Sequence, residues 1–273
     1  MEVTRLDVGH VGLRRVPYAD VLVDANVVSL TPDQVASIEW AEPVWAEAHR
    51  VRVAAAVWII EANGRRIVVD PAQAADDILR TGPDAYVHQE AVAGLLADAG
   101  CPRASVDTVI ASHIDGIGMI AWAGDDGWSP FFPNAEVLVS RRELDAIRDA
   151  TAYRPQGGDA LLALDDQGVV TAIGDEHVVA DGVTVVWTGG HCPGHQIVQI
   201  DSHGSEATLV GHLALTPLHC VCASTGHLDP AVATDAIDRL RDSRQLLAGP
   251  LWPSPGAARW NGNAMQAVAA TRH

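Results

Sequence analysis

Four side chains able to bind a metal or move a proton stand just beyond apolar segments of this chain: His113, Asp115, His195 and His212. In "DTVIASHIDGIGMIAW" the apolar run stops at Ser112 and His113, and Asp115 follows in a loop broken by Gly116 and Gly118. In "GHCPGH" a tight Gly-Pro turn is bracketed by His191 and His195, and in "LVGHLALTPLH" His212 and His219 follow another apolar stretch. Imidazoles and a carboxylate converging on one sheet edge suit a divalent metal, or general acid/base work without one. Of the 12 histidines, His10, His49, His88, His177, His203 and His227 are read as structural.

The elements that must position these groups are strands with helices between them. "VRVAAAVWII" and "RRIVVD" read as a hairpin turning at Asn63-Gly64. "QEAVAGLLADAG" reads as a helix stopped at Gly100, followed by the strand "VDTVIA" that leads into His113. "AEVLVS" and "RRELDAIRDA" make a second strand-helix unit. Strands then recur at "QGVVTAI", "GVTVVWT", "HQIVQID" and "EATLVG". Asp229 caps a long helix, "DPAVATDAIDRLRDSRQLL", with Pro230 in its first turn. This order predicts an α/β or α+β sandwich in which helices cover sheets.

Composition narrows the function. The net charge is −17, which disfavours nucleic acid as a partner. All 18 bases are Arg, and the absence of Lys excludes a Schiff-base lysine, a P-loop lysine and a Ser-Lys dyad. No apolar run reaches the ~20 residues that span a bilayer. The N-terminus lacks the pattern of a signal peptide, so a cytoplasmic location is the expectation. Cys101, Cys192, Cys220 and Cys222 form no C-x-x-C pair and are expected as reduced packing residues. Cys220 and Cys222 alternate, and would point to opposite faces of a strand.

The ordered pieces "LLADAGCPRASVDTVIASH", "FPNAEVLVSRRELDA", "TGGHCPGHQIVQID" and "ATLVGH" resemble the metallo-β-lactamase fold superfamily, in its lactonase and organophosphate-hydrolase branch. The resemblance implies one αββα domain over residues 1–273, with a metal site on one edge between two sheets. Residues 1–50 are then a cap over the cleft or a dimer contact, a homodimer being one arrangement this allows. The family loop T/S-H-x-H-x-D-H places its first histidine on His113, its second on Asp115, its aspartate on Ile117 and its last histidine on Gly118. The histidine of the P-G-H turn matches His195, the bridging aspartate falls on His212, and the final histidine falls on Leu251. Ile117, Gly118 and Leu251 cannot coordinate, so the two-metal site is expected to be lost.

A single ion, Zn²⁺ or Fe²⁺, would be held by His113, Asp115, His195 and His212. The expected reaction is then hydrolysis of an ester, lactone or thioester in a small molecule. With no metal, the same four residues would serve an acid/base lyase, isomerase or cyclase of the kind found in secondary metabolism, with His195 and His212 as acid and base. A non-catalytic ligand-binding relative is the third option. Trp122, Trp252 and His219 are expected to contact substrate.

Overall fold

The computed structural model describes residues 2–71, 85–114, 120–124, 127–149, 151, 153–222, 224–241 and 244–269. Strands β1 (Thr4–Val8) and β2 (Val11–Pro17) form a hairpin. Next, β3 (Val21–Val23), β4 (Ala46–Glu47) and β5 (Arg50–Val53) make a small sheet beside helix α1 (Pro32–Ala36). The expected hairpin is β6 (Ala56–Ala62) and β7 (Arg65–Val69), with Asn63 and Gly64 both at positive φ as a type I′ turn requires.

The chain continues through α2 (Ala85–Asp98), β8 (Thr108–Ile110), β9 (Ala121–Gly124), β10 (Gly127–Pro130), β11 (Glu136–Ser140), α3 (Arg141–Asp149), α4 (Gly158–Asp166) and β12 (Val170–Ile173). The second half holds β13 (Glu176–Ala180), β14 (Val183–Trp187), β15 (Gln196–Ser202), β16 (Ser205–Leu209), α5 (Pro230–Arg241), β17 (Leu246–Ala248), β18 (Ala257–Asn261) and β19 (Ala264–Ala267).

Two seven-stranded mixed sheets result, ordered β1-β2-β6-β7-β8-β11-β12 and β13-β14-β15-β16-β17-β18-β19. Between them lie Leu13, Trp58, Ile60, Ile67 and Leu138 from the first sheet and Val185, Val198, Ile200 and Leu209 from the second. The alternate residues Val57, Ile59 and Val68 turn to the other face, against Val92 and Leu96 of α2, Leu144 of α3 and Leu161 of α4. The outer face of the second sheet is covered by Ala233, Ile237 and Leu240 of α5. That is the αββα sandwich the family resemblance implies.

Several local expectations change. The run "VRVAAAVWII" splits at Ala54-Ala55, because the N–H groups of Ala54 and Ala56 donate to Leu251 and Pro250 rather than continuing one ladder. The helix opened by Asp229, whose Oδ1 accepts from the N–H groups of Ala231 and Val232, ends at Arg241. Leu246 and Leu247 instead enter β17, a central strand buried on both faces, where an apolar run is what the environment demands. Helix α4 was not legible as a helix, being short and opened by glycines. Cys220 lies in a 3-10 turn capped by Thr216 and not in a strand; all four cysteines are free thiols.

Residues 1–50 divide between two places. Residues 4–17 form the β1–β2 hairpin at one edge of the first sheet, while Val28, Val35, Trp45 and Ala46 pack on the outer face of the second. Among the described residues no helix is long and apolar enough to cross a membrane.

Candidate metal centre

Three segments bring imidazoles to one edge of the sandwich: the segment after β8, the turn between β14 and β15, and a 3-10 turn, Gly211–Ala214, after β16. The first is held by the N–H of Ser112, which donates to Asp70 Oδ1 at 2.7 Å. It is joined to the other sheet by Gln196, whose backbone N–H donates to the Ser112 carbonyl at 2.9 Å and whose side-chain amide donates to the Ala111 carbonyl at 2.8 Å. His113 is therefore placed from both sheets at once.

The second segment reverses direction at Gly189 and Gly190, both at positive φ, and the N–H of Thr188 closes the turn on the His195 carbonyl at 2.9 Å. Its Gly194 lies so close to α3 that an added Cβ would sit 2.3 Å from Glu143 Cβ and 2.4 Å from its backbone nitrogen. In the third segment, a Cβ on Gly211 would sit 2.8 Å from Ser112 Oγ and 2.9 Å from His195 Nε2. These two glycines let the segments nest.

Glu143 of α3 ties them together. Its Oε1 accepts from the Ile114 N–H at 3.1 Å and the Tyr153 hydroxyl at 2.7 Å. Its Oε2 accepts from the Gly194 N–H at 3.0 Å and the Cys192 thiol at 3.3 Å. Burial raises the Glu143 carboxyl above its usual range, and these donors pull it back.

The structure brings together His113, His191 and His212, whose ligand atoms all lie within 4.8 Å of one another. His113 Nε2 and His191 Nε2 are 3.3 Å apart, and the His113 and His212 ring centroids are 4.4 Å apart. His195 is adjacent, its ring centroid 5.7 Å from that of His113, but it lies outside this trio. Its Nδ1 meets Thr188 Oγ1 at 2.7 Å, and its buried Nε2 has no hydrogen-bond partner among the described residues. Burial is the first cause holding these imidazoles neutral; mutual repulsion adds to it. His113 and His191 are pushed well below the ordinary value, His195 to about 3 and His212 to about 4.

Three neutral nitrogen donors pointing into one space, beside an orphaned imidazole nitrogen, fit a borderline divalent ion such as Zn²⁺, or Fe²⁺. Ser112 Oγ lies 3.2 Å from His113 Nδ1 and can hold the proton there, leaving Nε2 free to ligate.

Asp115, the expected carboxylate ligand, and Ile117 and Gly118, on which the lost second site depends, lie outside the described residues. Leu251 is fully buried in the core around Trp45 and Trp252. Trp252 is likewise internal, its indole N–H donating to the Ala214 carbonyl at 2.8 Å, so it backs the His212 turn and is not open to a substrate. His219 has both nitrogens engaged: Nδ1 accepts from the Thr216 N–H at 3.1 Å, and Nε2 donates to the Val28 carbonyl at 2.9 Å. It fastens the segment after His212 to the N-terminal part of the chain. Trp122 stacks on Phe131 beneath Arg103.

Sequence reasoning left His191, His227 and Glu143 out of the site. His191 had a signal, since it precedes His195 by one turn of a Gly-Pro loop. His227 had none; its Nδ1 is 3.2 Å from His191 Nδ1.

No protein-family model matches the chain, and no curated protein matches it. Solved structures do. A crystal structure of the hydrolase AbOPH, in the β-lactamase superfamily, superposes with a TM-score of 0.78 at 17% identity, over 99% of this chain and 98% of that one. AidC, a dizinc quorum-quenching lactonase in complex with a product, gives a TM-score of 0.73 at 15% identity over 99% and 98%. An N-acyl homoserine lactone hydrolase, with its product bound at the catalytic metal centre, gives 0.62 at 18% over 93% and 96%. At these identities the likeness establishes the fold.

Proposed function

We propose that this chain, which has the metallo-β-lactamase fold, is a hydrolase that holds one divalent ion through His113, His191 and His212 and cleaves an ester, lactone or thioester. The observation that carries this is the convergence of the three imidazole ligand atoms within 4.8 Å. The hydrolases and lactonases that share the fold support the reaction class.

A bound ion would supply Lewis acidity toward a carbonyl oxygen and ease the deprotonation of water. The chain's own residues hold and orient. Ser112 fixes the His113 tautomer, Thr188 engages His195 Nδ1, and Glu143 anchors the backbone on both sides of the cleft. His195 Nε2, buried and without a partner among the described residues, is left for the ion or for a substrate oxygen. Acid/base catalysis without a metal is the weaker reading. With His195 held to about 3 and His212 to about 4, neither is an imidazolium acid at neutral pH.

Metal analysis of protein purified without added metal or chelator tests the proposal. One Zn or Fe per chain is expected, and it should be lost in His113→Ala, His191→Ala and His212→Ala. Two ions per chain would overturn the mononuclear site, and none after reconstitution would overturn the metal altogether. Activity follows from a panel of aryl esters, N-acyl homoserine lactones and acyl thioesters, on which the loaded wild type should turn over at least one class. No turnover of any class by the fully loaded protein would leave a ligand-binding role in place of hydrolysis.

A further inference from the structure

We infer that His227 is the outer-sphere partner of His191, and that the tautomer this pairing sets makes His227 Nε2–H a donor to a carbonyl or carboxylate oxygen bound at the site. The inference rests on the ligand role proposed for His191.

His227 is held beside His191 by more than its ring. The Leu228 N–H donates to the His191 carbonyl at 3.1 Å and the Asp229 N–H to the Gly190 carbonyl at 2.8 Å, so the two backbones are zipped together. The rings stand at 89° with centroids 5.4 Å apart, and their Nδ1 atoms are 3.2 Å apart. Each nitrogen of His191 thus has one direction: Nε2 toward His113, Nδ1 toward His227.

Tautomers then follow in sequence. If His191 ligates through Nε2, its proton is on Nδ1, and His227 Nδ1 must accept it. A neutral His227 that accepts at Nδ1 carries its own proton on Nε2. That atom is buried and has no hydrogen-bond partner among the described residues. Buried donors in native proteins are paired, so this one calls for an acceptor that none of the described residues supplies. His227 is only half-buried where His113, His195 and His212 are buried, which puts it on the solvent side of the cluster. A ligand oxygen entering the cluster is the acceptor that fits.

The experiment titrates Co²⁺ into metal-free wild type, His227→Asn and His227→Phe, reading the visible absorption of the bound ion. Acetate is then added to each Co²⁺-saturated protein. Asn puts a carbonyl oxygen near the place of Nδ1 and nothing at the place of Nε2; Phe removes both. His227→Phe should bind Co²⁺ about 10–100-fold more weakly with an altered spectrum, while His227→Asn stays within about threefold of wild type. Acetate should bind about tenfold more weakly to both variants. If His227→Phe does not fold, as judged by circular dichroism, His227→Asn still tests the donor. Equal Co²⁺ affinity in wild type and His227→Phe overturns the pairing alone, and equal acetate affinity in wild type and His227→Asn overturns the donor alone. No Co²⁺ uptake by wild type overturns the ligand role of His191 itself.

Discussion

The N–H groups of Ile114 and Gly194, one beside His113 and the other beside His195, donate to opposite oxygens of a single buried carboxylate, Glu143, at 3.1 and 3.0 Å. The spacing between two segments from different sheets is therefore set by one side chain of a helix. Glu143→Gln presents an NH₂ group to a backbone donor and should cost about 2–3 kcal/mol in urea unfolding, with weaker metal binding. Tyr153→Phe removes one of the donors and should cost about 1 kcal/mol. If Glu143→Gln matches wild type in both stability and metal affinity, the carboxylate does not set the spacing.

Gly194→Ala places a methyl group 2.3 Å from Glu143 Cβ, so the β14–β15 turn and α3 must separate. The expected loss is about 1–3 kcal/mol or more, as for overpacking generally. Gly204→Ala is the comparison: an added Cβ there meets nothing within 4 Å, although its φ of +75° still imposes strain. Equal thermal shifts in the two variants would show that strain alone, and not the close approach, explains the glycine at 194.

Two groups give the metal-free protein opposing pH dependence. His219, pushed down to about 4 by burial, is neutral when folded and takes up a proton when unfolded near pH 6.5. Its contribution is complete above pH 6.5 and falls as the pH drops toward about 4, at up to about 1.4 kcal/mol per pH unit. His219→Gln should be less stable at pH 7, by about 1–2 kcal/mol, yet lose less on acidification from 6.5 to 4. Urea midpoints across that window measure it, and parallel curves for the two proteins would refute it.

Asp70 has the reverse sign. Burial raises its carboxyl to about 6, so its contribution is greatest below about 4 and is lost as the pH rises through about 6, by at most about 3 kcal/mol. Asp70→Asn keeps an oxygen for the Ser112 N–H and suits the left-handed backbone at φ 46°. It should be at least as stable as wild type at pH 7, its advantage shrinking toward pH 4. A variant less stable than wild type at pH 7 would show that the Asp70 charge is compensated in the fold.

Leu251→His reinstates the residue type that the family resemblance places there, but it does so inside the core against Trp252. An imidazole buried there without a partner should cost about 2–4 kcal/mol and add no second ion. A gain of one metal per chain in this variant would place residue 251 at the cleft instead.

Local chemistry was legible in the sequence. Asn63-Gly64 had to be a turn, Asp229 had to cap a helix, and period-2 apolar runs had to be strands, because each follows from residues a few positions apart. The order of those elements suited a sandwich with helices over sheets, and the family resemblance implied its αββα arrangement. Which imidazoles meet was not legible. His191 and His195 lie in one turn, and only its path through Gly189 and Gly190 sends His191 to His113 and leaves His195 beside them. Glu143 and His227 act on segments dozens of residues away, and Trp252 is drawn inward by the Ala214 carbonyl. Sequence patterns report which face of an element is apolar; the direction of a polar side chain is decided by which acceptors and donors the packed tertiary structure leaves within reach.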